Sequence, residues 1–180
     1  MFIKTAKLEQ VLKKAYKGVG IHLERQGSRL IVATAYMYIE ADIETMTNSF
    51  KAAVIKFAGE LPEDGTALTV SEDASQSNIP KTHDRHLFER DIFNGQHFRE
   101  TAFTYNGDKI LQADDGKIAI VQAKEWAVYS LKDLGESEDD PDGWYDEAEG
   151  IICRNSTMVL QFLYFQGDDD LADLKNVRLP

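Results

Sequence analysis

The chain has 180 residues, with 20 Lys and Arg against 31 Asp and Glu, a formal net charge of −11, and 43% hydrophobic and 10% aromatic residues. That length and apolar content suit one large domain or two small ones with a real core, and exclude a disordered chain. No apolar run approaches the roughly 18 residues of a membrane-spanning helix, and the single Cys153 permits no internal disulfide, which points to a reducing compartment.

Met1-Phe2-Ile3-Lys4 leads from a short strand start at Phe2 and Ile3 straight into an amphipathic helix, so neither a signal peptide nor a membrane partner is expected, and the location reads as cytoplasmic. Thr5 is a candidate cap, and Ala6 to Lys17 holds no Gly, no Pro and one β-branched residue, Val11. Leu8, Val11, Leu12 and Ala15 fall on one stripe at 100° per residue, with Gln10, Lys13, Lys14 and Lys17 opposite and Lys7 at the margin. Gly18 and Gly20 stop the helix.

Ile21 to Arg25, Leu30 to Thr34 and Tyr36 to Thr45 read as three strands joined by tight turns, the first turn at Gln26-Gly27-Ser28. A second helix, from about Ser49 to Glu60, carries Phe50, Val54, Phe57 and Leu61 on its apolar stripe and Lys51 and Lys56 off it, with Asn48 or Ser49 as cap. Leu61-Pro62-Glu63-Asp64-Gly65 then turns the chain into a strand ending at Val70. Short consecutive strands favour an antiparallel meander. The expected class is α+β, a largely antiparallel sheet with two lysine-bearing helices packed on one face.

Charge is sorted along the chain. Residues 4–17 and 49–60 hold seven lysines against two acids, a net of +5, which leaves 13 basic against 29 acidic residues elsewhere, a net of −16. A positive helix face on an acidic protein suits contact with a polyanion there and repulsion elsewhere.

The order strand, helix ending in Lys17-Gly18, then GSRLIVATAYMYIEADIE and SFKAAVIKFAGELPEDGTALTV, resembles the start of a sliding DNA clamp domain of the bacterial DNA polymerase III β type. Arg29 to Thr34 stands at the family's "kLtLtaTD"-like strand, Phe50 to Val70 at its "klLldivrkLPdgevtl"-like helix and turn, and DDDLADLKNVRLP at its terminal strand. Ala35-Tyr36 stands where the family carries an acidic residue, and the chain is short for repeated full domains. A diverged clamp of phage or prophage type, or a single clamp-like domain, is therefore the closer comparison. The resemblance implies a DNA-contacting processivity factor in DNA replication, with helices lining a ring and sheet outside. Lys7, Lys13, Lys14, Lys17, Lys51 and Lys56 would face the phosphate backbone, in contacts that are sequence-independent and salt-sensitive. The implied partners are double-stranded DNA, further copies of the chain in a ring or other homo-oligomer, and a polymerase or other replication proteins. No cofactor and no enzymatic activity are implied.

The expected organisation is a clamp-like βαβββαβ unit at 1–75, a loop or linker at 76–100, and a second mostly β unit at 101–180 able to complete the same domain. Residues 81–99 gather His83, Arg85, His86, Arg90, His97 and Arg99 around Phe88, Phe93 and Phe98, a cluster that reads as a loop anchored by its aromatics. Asn106-Gly107 and Asp115-Gly116 mark hairpins, Glu125 to Leu134 a short helix, and Met158 to Phe165 a central strand. Glu138, Asp140, Asp142, Gly143 and Glu149 match positions of a calcium-binding loop, but Pro141 and Gly150 oppose that geometry, so a solvated acidic loop is expected. No nucleophile with its base and no glycine-rich phosphate loop is visible. The alternative function is an acidic protein-binding decoy whose carboxylates mimic phosphates and occupy a nucleic-acid enzyme.

Overall fold

The structure, a computed structural model, describes residues 1–73, 87–88, 95–134, 136, 138–164 and 179–180. The expected fold class is found: an α+β chain in which one antiparallel sheet carries the two lysine-bearing helices on one face.

The first helix, α1 (Thr5–Tyr16), buries Leu8, Val11 and Leu12, the stripe its periodicity marks. Its cap differs from the expectation. Lys4 is the N-cap residue and supplies no side-chain cap, while Thr5 lies inside the helix. The chain before α1 is held instead by backbone pairing, with the Lys4 amide on Val128 O at 2.8 Å and the Ser130 amide on Phe2 O at 2.9 Å.

Three strands follow as a meander: β1 (Ile21–Gln26), β2 (Arg29–Ala33) and β3 (Met37–Asp42). The second helix, α2 (Asn48–Ala58), is capped by Thr47, one residue before the expected Asn48 or Ser49, whose hydroxyl accepts the Phe50 amide at 3.2 Å. Thr47→Ala removes this acceptor and is expected to cost about 1 kcal/mol, read as a lower urea midpoint with an unchanged slope. Phe50, Ala53 and Val54 are buried and Phe57 packs against the core, while Ile55, off the stripe, is 39% exposed.

Strand β4 (Ala67–Val70) returns to pair with β1. Beyond it come β5 (Gln96–Tyr105), β6 (Asp108–Ala113) and β7 (Ile118–Val121), linked by the two Gly-containing turns expected at Asn106-Gly107 and Asp115-Gly116. The helix expected over Glu125 to Leu134 is shorter and earlier: α3 (Ala123–Trp126), then a separate 3-10 turn at Leu131–Asp133. The aromatic cluster decides this break. Trp126 packs on Tyr129 and Phe162 with centroids 5.1 and 5.2 Å apart, and Tyr129 meets Phe2 at 5.9 Å, which pins the chain to the sheet before a longer helix can run.

The last strands are β8 (Asp142–Asp146), β9 (Gly150–Arg154) and β10 (Met158–Phe162). The sheet order is β4-β1-β2-β3-β10-β9-β8-β5-β6-β7, so β10 sits centrally, paired with both β3 and β9. Its apolar run is explained by cover on both faces. Met158, Leu160 and Phe162 join the helix-side core, and Val159 joins a smaller cluster with Ile31, Tyr38, Ile152 and Leu87 on the opposite face. That second cluster also encloses Glu40, which accepts from the Tyr38 hydroxyl at 2.9 Å and the Phe88 amide at 3.1 Å. Burial and the neighbouring Glu40 push the Tyr38 phenol far up, so it stays a neutral donor. Cys153 is buried in the main core, as its apolar run suggests, and burial pushes its thiol up.

Candidate nucleic-acid interface

The two lysine-bearing helices form one layer. Thr5 Oγ1 lies 3.5 Å from Ser49 Oγ near the helix starts, Lys56 Nζ in the last turn of α2 reaches back to within 2.8 Å of Glu9 Oε2, and the Tyr16 and Phe57 rings meet at 5.8 Å near the ends. The helices therefore run side by side in the same direction, with their apolar stripes turned onto the sheet.

Six lysines were expected at a phosphate-facing surface, and they occupy four settings. Lys13 and Lys17 project from the side of α1 opposite its buried stripe and are exposed. Lys51 is half-buried on the flank of α2 away from α1. None of these three forms an ion pair with a described residue. Lys56 is tied across the helix layer to Glu9. Lys7 and Lys14, one on each side of Val11 along α1, turn towards α3, and Lys14 lies 3.5 Å from Glu125 Oε1. Free positive charge on the layer thus comes chiefly from Lys7, Lys13, Lys17 and Lys51, because Lys14 and Lys56 are already neutralised by carboxylates. An exposed pair such as Lys56–Glu9 contributes little stability, so it can open when a stronger anion arrives.

Sequence reasoning marked Glu125 only as a helix start and did not mark Lys124. Lys124 joins Lys7 and Lys14 beside the groove between α1 and α3. Glu125 is buried at 2% exposure beneath α1. Neither belongs to a periodic pattern, because α3 has only four residues, and only packing brings it to α1.

Several acids of the stretch 136–149 are spent on structure. Glu138 pairs with the Met1 amino group, and Asp139 accepts from the Ser156 amide at 3.0 Å and from the Ser156 hydroxyl, bonds that hold its carboxyl below the usual range. Asp146 accepts the Ala148 and Glu149 amides at 2.8 and 2.9 Å. Asp142 and Gly143 lie in β8, so the calcium-loop spacing is not realised, and no cluster of three or more metal-ligating side chains occurs among the described residues. His83, Arg85, His86 and Arg90, Phe93, and the run Asp168-Asp169-Asp170 lie outside the described residues. So does all of the clamp-like terminal segment except Leu179 and Pro180. Within the rest of the histidine-rich stretch, Arg154 donates to Phe88 O at 3.2 Å and the Arg29 guanidinium lies 3.5 Å from the Phe88 ring centre, so Phe88 is an anchor as expected. No helix among the described residues is long and apolar enough to cross a membrane.

No protein-family model and no curated protein matches the chain. Among solved structures it is similar to a DNA polymerase sliding clamp from Pseudomonas aeruginosa, at 13% identity and a TM-score of 0.34, over 92% of this chain and 64% of that one. It is also similar to the DNA polymerase III subunit beta sliding clamp of Bartonella birtlesii LL-WM9, at 12% identity and a TM-score of 0.31, over 99% of this chain and 68% of that one. The chain thus spans just under two thirds of the length of the Pseudomonas clamp.

Proposed function

We propose that the protein is a diverged sliding-clamp-like processivity factor that holds duplex DNA through the phosphate backbone. The observation that carries this reading is the helix layer itself. Two lysine-bearing helices lie side by side on one face of the sheet, with Lys13, Lys17 and Lys51 unpaired among the described residues, on a chain of net charge −11. A lattice of flexible ammonium groups with no built hydrogen-bond geometry suits a surface that must track phosphates without reading bases. Lys7, Lys14 and Lys56 would add to it once drawn from their present neighbours. In this reading residues 1–75 are the clamp-like unit and 101–180 the second β unit that completes the domain.

Encirclement needs a closed oligomer. The sheet ends in two different strands, β4 and β7, and unlike edges suit a head-to-tail contact, the kind that generates rings when its rotation closes. The test is retention on DNA of two forms. The protein is loaded on nicked circular duplex and on the same duplex linearised, and its mass is measured in solution. A closed oligomer retained on the circle and lost from the open ends is the expected result. A monomer or dimer with no affinity for either DNA, yet able to inhibit a nucleic-acid enzyme, would replace this reading with the acidic decoy.

A further inference from the structure

The groove between α1 and α3 holds a chemistry that backbone contact does not use. It consists of two adjoining hollows with Val11 and Lys14 in the wall of both, of about 460 and about 240 Å³, together in the range of small-ligand sites. The larger is rimmed by Lys7, Lys14 and Lys124. The smaller is lined by Ala15, Val19, Tyr36 and Glu125, of which Val19 and Tyr36 are 41% and 38% exposed.

Glu125 is the unusual member. Its side chain is 97% buried, since only 3% of it is exposed, and Oε1 lies 3.5 Å from Lys14 Nζ. Its other carboxylate oxygen, Oε2, has no hydrogen-bond partner among the described residues. A buried acceptor left unpaired is costly, and this one is held in place by its neighbour in sequence, Trp126, through the aromatic cluster on the sheet. The Ala123 amide on Asp108 Oδ1 at 3.0 Å fixes the start of α3. On the opposite wall, the Leu163 amide on Tyr36 O at 3.0 Å and the Met37 amide on Thr34 Oγ1 at 3.2 Å hold the β2–β3 turn that presents Tyr36.

The groove therefore offers an aromatic ring whose face clears when Lys14 Nζ, 5.9 Å from its centre, turns to an anion, a closed-in carboxylate short of one donor, and three ammonium groups around them. A nucleotide carries the complement of each: a flat π-face, N–H donors on the base edge, and a phosphate. We propose that this groove binds one unpaired nucleotide, with its base against Tyr36, the base N–H edge on Glu125 and the phosphate among Lys7, Lys14 and Lys124. Base stacking on a tyrosine tolerates any base, and carboxylates accept from base amino groups. A base inside a duplex is stacked on both faces and cannot lie against Tyr36, so the ligand comes from a single-stranded segment or from free nucleotide. An acidic peptide would answer the lysines, but its carboxylates bring neither a π-face for Tyr36 nor an N–H for Glu125. Tyr36 and Lys124 lie outside the lysine set assigned to duplex contact, so the two readings can be tested apart.

The experiment measures, on the full chain, fluorescence anisotropy of a short end-labelled deoxyadenosine strand and of an abasic deoxyribose-phosphate strand of equal length. The base-bearing strand is expected to bind about tenfold tighter, the scale of one base–aromatic stack. Tyr36→Ala, at an exposed turn, should erase most of that difference, and Lys124→Glu should weaken both strands severalfold. Displacement by dAMP shows that free nucleotide suffices, while displacement only by unlabelled strand shows that the chain is needed; either result supports the site. Equal affinity for the two strands overturns it, as does a base preference that survives Tyr36→Ala. So does tight binding of a glutamate-rich peptide that Lys124→Glu abolishes in the absence of any base preference. A variant with Lys13, Lys17 and Lys51 all changed to Gln should keep the base preference even where duplex retention is lost, which separates failure of this site from failure of the duplex reading.

Discussion

Changing Lys13, Lys17 and Lys51 to Gln together is expected to lower the slope of log affinity against log salt for duplex DNA by roughly 3, since each phosphate-contacting lysine contributes about one counterion to the release on binding. These three have no ion-pair partner among the described residues, so their removal uncovers no carboxylate and leaves the core stripes of α1 and α2 intact. The loss should be uniform across DNA sequences, because the proposed contacts are to the phosphate backbone alone. Lys56→Gln behaves differently. It frees Glu9 on the same layer, so under the proposed contact the lost attraction should be compounded by an uncovered negative charge. The measurement is a salt titration of duplex binding for each variant, with circular dichroism to confirm the fold. An unchanged slope in the triple variant means that the lysines only solvate the helices, and the clamp-like function goes with them.

Gly150→Ala is expected to be the most damaging single methyl addition to the fold. Gly150 opens β9 at a φ of +101°, and a Cβ there would collide with the carbonyl oxygen of Phe162 on the central strand β10. The conformation alone costs about 1–3 kcal/mol for a residue with a side chain, and the overlap is with backbone, which cannot rotate away. Either β9 shifts along β10 or the β8–β9 turn opens, and both disturb Ile151 and Phe162 in the main core. A loss of roughly 3 kcal/mol or more should lower the melting temperature by about 6 °C or more in a chain of this size. Gly27→Ala is the control. Gly27 has a φ of +58° with open space around its Cβ position, so it carries the conformational cost without the collision and should fall by about 1 kcal/mol. Equal melting temperatures for the two variants would show that β9 and β10 do not approach as closely as described.

The first 70 residues were legible because their signals are local. Leu8, Val11 and Leu12 repeat at the helical period and are buried as that period requires, and Gly27 marks the turn between β1 and β2. Helix ends were less so: Thr47 caps α2 while Asn48 and Ser49 beside it have similar chemistry, and a one-residue choice among them rests on backbone angles rather than on side-chain type. The same limit appears at α3, where the stretch from Glu125 to Leu134 has helical propensity but Trp126 and Tyr129 lock against Phe162 and Phe2. The polar alternation in β3 gave no sign that Glu40 is buried, because its cover includes Leu87, far away in sequence.

What the amino-acid order determined on its own was the repertoire of elements and the sorting of charge: two helices rich in lysine, short strands in a meander, and acids nearly everywhere else. Those follow from spacing and propensity within a few residues. Only the tertiary structure decided that β10 lies between β3 and β9, that Lys14 and Lys56 spend their charge on Glu125 and Glu9, and that Tyr36, Glu125 and Lys124 surround one groove. Each of these joins residues tens of positions apart, and such pairings are selected by the burial of a shared core, which no local pattern encodes.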